Sequence, residues 1–156
     1  MDPKAIEDFN FLLTDELIAV EAYKKVLAKI EAADKSNVLE KALKSHQDRA
    51  NKLKSAIVKL GGAPLSDIGM GGKIAKLIID GAGTISAEAM IAALTEDEGG
   101  WSSDYEWRLV SMHGDHRLLV KNDLWPQQQR TEEQMRELAS SITKGLWPAT
   151  PGTKDI

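Results

Sequence analysis

The sequence predicts an all-α protein, a four-helix bundle in which two antiparallel hairpins are joined by a long crossover. Four long segments repeat apolar residues at intervals of three and four, the spacing of one face of an α-helix. A few turn-forming residues separate the first two segments, which favours an antiparallel hairpin. The glycine-rich residues 61–86 separate the second segment from the third, and a connection of that length can span a bundle.

The first hairpin is predicted from its capping and turn residues. Helix A is expected over about 3–33, with Asp2 as its cap and a proline at its first position, where the missing N–H costs nothing. The polar residues 34–37 form the expected turn, and helix B follows over about 37–60. Gly61-Gly62 and a nearby proline end helix B in the usual way.

The second hairpin follows the crossover, in which apolar residues predict a short helix at about 73–80. Helix C is expected from a Ser86 cap to about His113. Gly99-Gly100 in its middle would each cost roughly 1 kcal/mol relative to alanine. They therefore indicate either a close approach of another helix or a bulge beside Glu98.

Helix D is expected to begin between Asp115 and Asp123 and to continue to about Lys144. Pro126 must then lie in its first turn or produce a kink. The inward residues of this helix are predicted to be Leu124, Gln128, Thr131, Met135, Leu138 and Ile142. The bundle domain thus covers 1–144, and 145–156 is predicted to be an extended tail, with Trp147 pinned on the bundle or on a neighbouring molecule.

Composition favours an ordinary cytoplasmic protein. With 156 residues the chain is expected to form one domain with a core of its own, and the absence of cysteine excludes disulfides and thiolate metal sites. No apolar run predicts a secretion signal or a membrane span. The net charge of -4, with lysines interspersed among acids, offers no basic surface for nucleic acid.

Two glutamates lie on predicted inward faces. Glu16 falls on the apolar stripe of helix A and Glu98 on that of helix C, and each is followed seven residues later by a tyrosine, Tyr23 or Tyr105. A carboxylate in a core is costly unless it is paired, hydrogen-bonded or bound to a metal. The repeated arrangement therefore marks a candidate site between the helices.

Short motifs around these residues resemble the ferritin-like superfamily. Its first helix often reads E-L-x-A-x-x-x-Y, matched by Glu16, Leu17, Ala19 and Tyr23. Within the superfamily the chain looks like small bacterial proteins of unknown function, through the motifs at 60–64 (L-G-G-A-P) and 126–131 (P-Q-Q-Q-R-T). The resemblance implies a ferritin-like bundle over about residues 4–143, and a stress-related setting.

The resemblance also implies a ligand pattern, which the sequence meets only in part. In metal-bearing members, helices A and C each give one glutamate, and helices B and D each give Glu-x-x-His, around two iron or manganese ions. Glu16 and Glu98 match the single glutamates. Helix B instead offers His46-Gln47-Asp48-Arg49, and helix D offers Gln128, Gln129, Glu132 and Met135 at that level.

Two interpretations of the polar residues follow. In the first, Glu16, His46, Glu98 and Glu132 bind one or two iron or manganese ions for redox or storage chemistry; any enzymatic activity would be of the di-metal oxidase type. In the second, the glutamates are neutralised by Arg49 or hydrogen-bonded to tyrosines and His46, and no cofactor is bound. We expect the second, in a non-catalytic protein that forms a homo-oligomer.

Three surface features leave further alternatives open. His113 and His116 could bind a surface zinc or nickel ion, although a polar turn is favoured there. The chain could also be an interaction module whose crossover or Trp147 tail docks a partner. An exposed Trp107, at the back of helix C, would indicate a partner surface.

Overall fold

The computed structural model describes residues 2–30, 33–66 and 85–144. Within these ranges every regular element is helical: α1 (Pro3–Leu27), α2 (Ala33–Lys59), α3 (Ala87–Ser111), the short α4 (Gly114–Leu119), a π-helical turn (Val120–Leu124) and α5 (Trp125–Thr143). The predicted all-α bundle of four long helices is confirmed. The predicted helix at 73–80, most of the crossover and the tail at 145–156 lie outside the described residues.

The long helices pack in the cyclic order α1, α2, α5, α3. Near the end of α1, Tyr23 is hydrogen-bonded to Glu98 in the middle of α3, and near its start, Asp8 is hydrogen-bonded to Arg108 near the end of α3. The two helices are therefore antiparallel. The contacts of α5 with α2 have the same reversed order, as in Lys52 with Asp123 and Ser45 with Thr131. The turn between α1 and α2 is short, so these two helices are also antiparallel, and α2 and α3 point in the same direction.

The first hairpin differs from the prediction at its turn. The Asp2 carboxylate caps α1 as expected, accepting a hydrogen bond from the Ala5 amide at 3.1 Å. The helix ends at Leu27, where the Lys29 amide bonds the Val26 carbonyl at 3.0 Å in a tightened last turn. Helix α2 begins at Ala33, so the turn precedes residue 33 and the expected turn at 34–37 is wrong.

The end of α2 is the glycine stop that the sequence predicts. Gly61 has φ +80°, its amide bonds the Val58 carbonyl, and the Gly62 amide bonds the Ile57 carbonyl, both at 2.9 Å. This pair of bonds is the Schellman motif, which satisfies carbonyls that the helix leaves unpaired. A Cβ on Gly62 would lie 2.8 Å from Ile6, so the second glycine allows the start of α1 to pack closely here.

Helix α3 runs without interruption through Gly99-Gly100, so a bulge beside Glu98 is not found. A Cβ on Gly99 would make only an ordinary contact with Glu132, and one on Gly100 would contact nothing. The irregularity lies instead at the π-helical turn directly before Pro126. Because proline lacks an N–H and clashes with the carbonyl four residues earlier, a locally wider turn accommodates it inside the fourth helical segment.

The core consists of two apolar layers with a polar layer between them. One layer surrounds Tyr23, Leu94 and Met135, and the other surrounds Phe9, Leu53 and Tyr105. The stripe predicted for helix D is confirmed, since its first five members are buried and Ile142 packs against the core. The polar layer lies at the level of the two predicted inward glutamates.

Candidate functional site

The polar layer is built from one level of each long helix. Glu16 comes from α1, His46 and Arg49 from α2, Glu98 from α3 and Gln128 from α5, and none is more than 2% exposed. Each lies on the apolar stripe of its own helix, so forming the helices and burying their stripes brings these polar groups together. The layer is therefore a consequence of sequence register and does not depend on a loop.

His46 joins the two glutamates. Its Nδ1 lies 2.6 Å from Oε2 of Glu16 and its Nε2 lies 2.8 Å from Oε1 of Glu98. A neutral imidazole has only one N–H, so it would leave one of these short contacts without a proton. With both nitrogens protonated, each donates to a carboxylate, and the two contacts are charge-assisted hydrogen bonds. We assign His46 as an imidazolium because its two carboxylate contacts are the shorter ones, although Nη2 of Arg49, which can only donate, also lies 2.9 Å from Nδ1.

Arg49 lies next to His46 and contacts three helices. Its Nε donates to Oε1 of Glu16 at 2.7 Å, and its Nη2 donates to Oε1 of Gln128 at 2.7 Å. Its Nη1 contacts the hydroxyls of Ser45 at 2.5 Å and Thr131 at 3.4 Å. The planar guanidinium thus links α1, α2 and α5 from within the layer, a geometry that the point charge of a lysine would not reproduce.

Two tyrosines and one amide complete the hydrogen bonding of the carboxylates. The Tyr105 hydroxyl donates to Oε1 of Glu16 and the Tyr23 hydroxyl to Oε1 of Glu98, each at 2.5 Å. Nε2 of Gln128 donates to Oε2 of Glu98 at 2.6 Å. All four carboxylate oxygens of the layer therefore accept a hydrogen bond, as buried charged groups require.

The layer is electrically balanced, with Glu16 and Glu98 negative and His46 and Arg49 positive. Burial by itself would raise the pKa of Glu16, but the charges of Arg49 and His46 outweigh it and lower the pKa to about 2. Burial opposes the charge of His46, but the carboxylates of Glu98 and Glu16 outweigh it and raise the imidazole pKa. Both shifts favour the charged forms, so the site holds two mutually compensated ion pairs.

Three of the four predicted metal ligands lie in contact around His46, and the fourth, Glu132, lies outside this group. Glu16, His46 and Glu98 are in direct contact, whereas Glu132 lies at the margin of α5 and pairs with Arg136. Among the described residues, no three histidine or acidic side chains form a group suited to a metal ion. Both nitrogens of His46 and every oxygen of the glutamates are engaged, and a guanidinium would repel a dication. This arrangement does not fit a di-metal centre.

A second acidic contact lies beside the layer, between α1 and α3. Oδ2 of Asp15 is buried and accepts no hydrogen bond from the described part of the chain. Burial, a hydrogen bond with Asp104 and the negative charge of Asp104 raise the pKa of Asp15 to about 9. A proton on Asp15 accounts for both observations, because its O–H can donate to the Asp104 carboxylate.

Several polar contacts were not specified by the sequence patterns. Asp8 is 1% exposed and pairs with Lys4 at 2.6 Å and with Arg108 at 2.9 Å, and Asp15 meets Asp104. Helical spacing places Asp8 and Asp15 seven residues apart on one side of α1, but it does not reveal what packs there. Gln128 was predicted to face inward, and its position in the same layer gives it a polar partner on two helices.

The two histidines proposed for a surface metal site have different surroundings. His116 stacks edge-on against Phe9 and lies 3.7 Å from an oxygen of Asp2, while His113 is exposed at the start of α4. None of the helices described here combines the length and apolar character that crossing a membrane requires.

In comparisons with known proteins, the chain matches no family model, no curated protein and no solved structure.

Proposed function

We propose that this chain is a ferritin-like four-helix bundle in which a neutral ionic network takes the place of a di-metal centre. The protein is non-catalytic and cytoplasmic, binds no metal in its core, and acts through association with further copies of itself. The stress-related setting follows from the family resemblance. The observation that carries the proposal is Arg49, whose guanidinium lies within the layer and bonds Glu16 and Gln128.

The positions of the polar residues support a ferritin-like origin. Di-metal bundles use one glutamate from each of two helices and a pair spaced i, i+3 from each of the other two. Here α1 and α3 each provide one glutamate, α2 provides the i, i+3 pair His46 and Arg49, and α5 provides Gln128 and Thr131. The six positions correspond in spacing, while four of the six side chains differ in chemistry.

The direction of the helices supports the same assignment. Since α2 and α3 point the same way, the chain after α2 must return along the bundle before α3 begins. A return of this kind is what the long crossover of the ferritin-like architecture would provide. Residues 67–84 provide enough chain for it, because an extended residue spans roughly 3.3 Å and a helical one about 1.5 Å.

The absence of catalysis is inferred from the saturation of the layer. Acid–base catalysis needs a group that can exchange a proton with a substrate, and redox catalysis at this position needs a metal with an open coordination site. In the layer, each charged side chain is paired with an opposite charge, as the contacts of Glu16 with His46 and Arg49 and of Glu98 with His46 show. Restoring oxidase chemistry would require Arg49 to leave the layer, at the cost of an unpaired buried charge.

The proposal is tested by rebuilding the missing ligands. A variant with four substitutions, listed in chain order as His46→Glu, Arg49→His, Gln128→Glu and Thr131→His, places a Glu-x-x-His pair on both α2 and α5. If the six positions descend from a di-metal site, this variant binds two Co²⁺ ions with visible d–d absorption and gains thermal stability on binding. The parent protein shows neither effect. Failure of a folded quadruple variant to bind Co²⁺ would count against the ferritin-like assignment.

A further inference from the structure

The outer face of α3 bears an exposed apolar projection. Trp107 and Val110 are each 76% exposed, and their spacing of three residues places them side by side on the helix. A tryptophan in water gains nothing for the stability of its own chain, and exposed aromatic clusters typically mark interaction sites. We call Trp107 and Val110 the α3 knob.

The opposite side of the bundle has a groove that can receive such a projection. It lies between α2 and the segment formed by α4 and the π-helical turn, and it has a volume of about 640 Å³. Apolar side chains in it include Phe9, Ala56, Leu60 and Leu119. Lys52 and Lys59 belong to its α2 wall and Asp115 and Asp123 to the facing wall, and Lys52 pairs with Asp123 at 2.8 Å. We call it the α2 groove. Because α2 and α3 lie diagonally across the bundle, a chain cannot place its own knob in its own groove.

The charges next to the two surfaces are complementary. The exposed charged residues of α3 are all acidic, namely Glu88, Glu96 and Glu106. Among the side chains of α2 that the structure describes, from residue 36 onward, the exposed lysines outnumber the exposed acids by four (Lys41, Lys44, Lys52 and Lys59) to two (Glu40 and Asp48). An α3 face of one chain laid along the α2 wall of another therefore gains attraction, whereas two α3 faces laid together bring like charges into contact.

We propose that this protein associates head to tail, with the α3 knob of one copy seated in the α2 groove of the next. The inference deepens the proposed function and rests on its claim of self-association. A surface that meets a different surface of an identical chain forms a heterologous contact, which yields either a closed ring or an open filament. Trp107 is the central anchor, and Lys59 of the groove wall, with Lys41 further along α2, orients the acidic α3 face.

Two variants separate this arrangement from any symmetric one. The knob variant is Trp107→Lys, and the groove variant combines Ser55→Glu with Lys59→Glu at exposed positions of α2. Each should fold as the parent does by circular dichroism, and each should sediment as a monomer where the parent forms larger species. Mixed at equal concentration, they should form a 1:1 dimer that does not grow, because one intact knob meets one intact groove. Leu65→Ala, at an exposed leucine outside both surfaces, is the control and should associate as the parent does.

The outcomes distinguish the failure of this inference from failure of the proposed function. A parent that is oligomeric, with an affinity reduced less than about tenfold by Trp107→Lys, would overturn the knob while leaving self-association intact. A mixture of the two variants that stays monomeric would overturn the head-to-tail geometry. A parent that is monomeric at every concentration would overturn both the head-to-tail contact and the proposed self-association. Association that appears only when residues 145–156 are removed would do the same, because the tail would then be the occupant of the groove.

Discussion

Replacing Arg49 with methionine removes the positive charge from the layer while keeping most of the side-chain volume. Glu16 and Glu98 would then face a single imidazolium, so the buried layer would have a net negative charge. Arg49 is the largest of the influences that hold the pKa of Glu16 near 2 against an ordinary value of 4.5, a difference of about 3 kcal/mol. Breaking one side of a buried pair costs about 3–5 kcal/mol. Both routes give a loss of about 3 kcal/mol or more in the free energy of unfolding.

Equilibrium urea unfolding, followed by circular dichroism at pH 6, measures this loss. A loss of that size corresponds to a decrease of about 10 °C in Tm for a chain of this length. Arg136→Met is the matched control, because Arg136 pairs with Glu132 on the surface with its side chain 68% exposed. Exposed pairs contribute at most about 1 kcal/mol, so the control should change stability little.

A second substitution tests whether lost charge compensation is the cause. Adding Glu16→Gln to Arg49→Met removes one negative charge and returns the layer to neutrality, so the double variant should recover at least about 1.5 kcal/mol of the loss. If Arg49→Met unfolds at the same urea concentration as the parent, or if Glu16→Gln adds its own cost in full, the ionic network does not hold the layer as described.

Three further predictions concern protons, a tyrosine and a glycine. Folded Asp15, with its pKa near 9, keeps a proton that the unfolded chain loses above its ordinary pKa of 3.8, so the free energy of unfolding should fall as pH rises from about 5 to 9. Urea unfolding repeated across this pH range measures the slope, and Asp15→Asn should flatten it. A slope that Asp15→Asn leaves unchanged would contradict the proton assignment. Tyr105→Phe removes one donor to Glu16 and should cost about 2 kcal/mol in urea unfolding, whereas a neutral effect would mean that the hydroxyl is not needed. Gly100→Ala should raise the free energy of unfolding by about 1 kcal/mol, since a Cβ there contacts nothing; Gly61→Ala is the opposite control and should lower it, because Gly61 has a positive φ.

The lowered pKa of Glu16 also makes the free energy of unfolding depend on pH in the acidic range. Glu16 is ionised in the folded protein down to about pH 2, while the unfolded chain binds its proton below about pH 4.5. The stabilisation from Glu16 is therefore fully present above pH 4.5 and is lost as pH falls toward 2. The raised pKa of His46 acts in the opposite direction, because its stabilisation is lost as pH rises above the ordinary value of 6.5 and through the folded pKa.

The four helices and their inward faces were predictable because apolar periodicity is a local property of the chain. The same periodicity placed Glu16, Glu98 and Gln128 on buried faces, and the structure confirms their burial. The turn between α1 and α2 was misplaced because several residues around 28–37 tolerate both helix and turn, and packing decides between them. Local signals of this kind are weakest at helix ends.

The pairing within the layer could be predicted only as alternatives. Sequence spacing shows that Arg49 follows His46 by three residues, but it does not show whether the guanidinium turns inward or extends to the solvent. That choice depends on Gln128 and Thr131, which approach from the distant helix α5. Glu132, one residue beyond Thr131, points about 100° away from it around the helix and so lies at the margin, where it pairs with Arg136. A shift of one position along α5, from Thr131 to Glu132, therefore decides whether a side chain lies in the polar layer.

Elemental analysis of the untagged protein, grown in iron- and manganese-replete medium, tests the central claim most directly. The Glu16→Ala, Glu98→Ala double variant serves as the comparison, because it lacks both carboxylates of the layer. If Arg49 and His46 balance these carboxylates, both proteins contain far less than one metal ion per chain, and chelation leaves the Tm of the parent unchanged. Near-stoichiometric iron or manganese in the parent, lost in the double variant, would contradict the account and identify the glutamates as metal ligands.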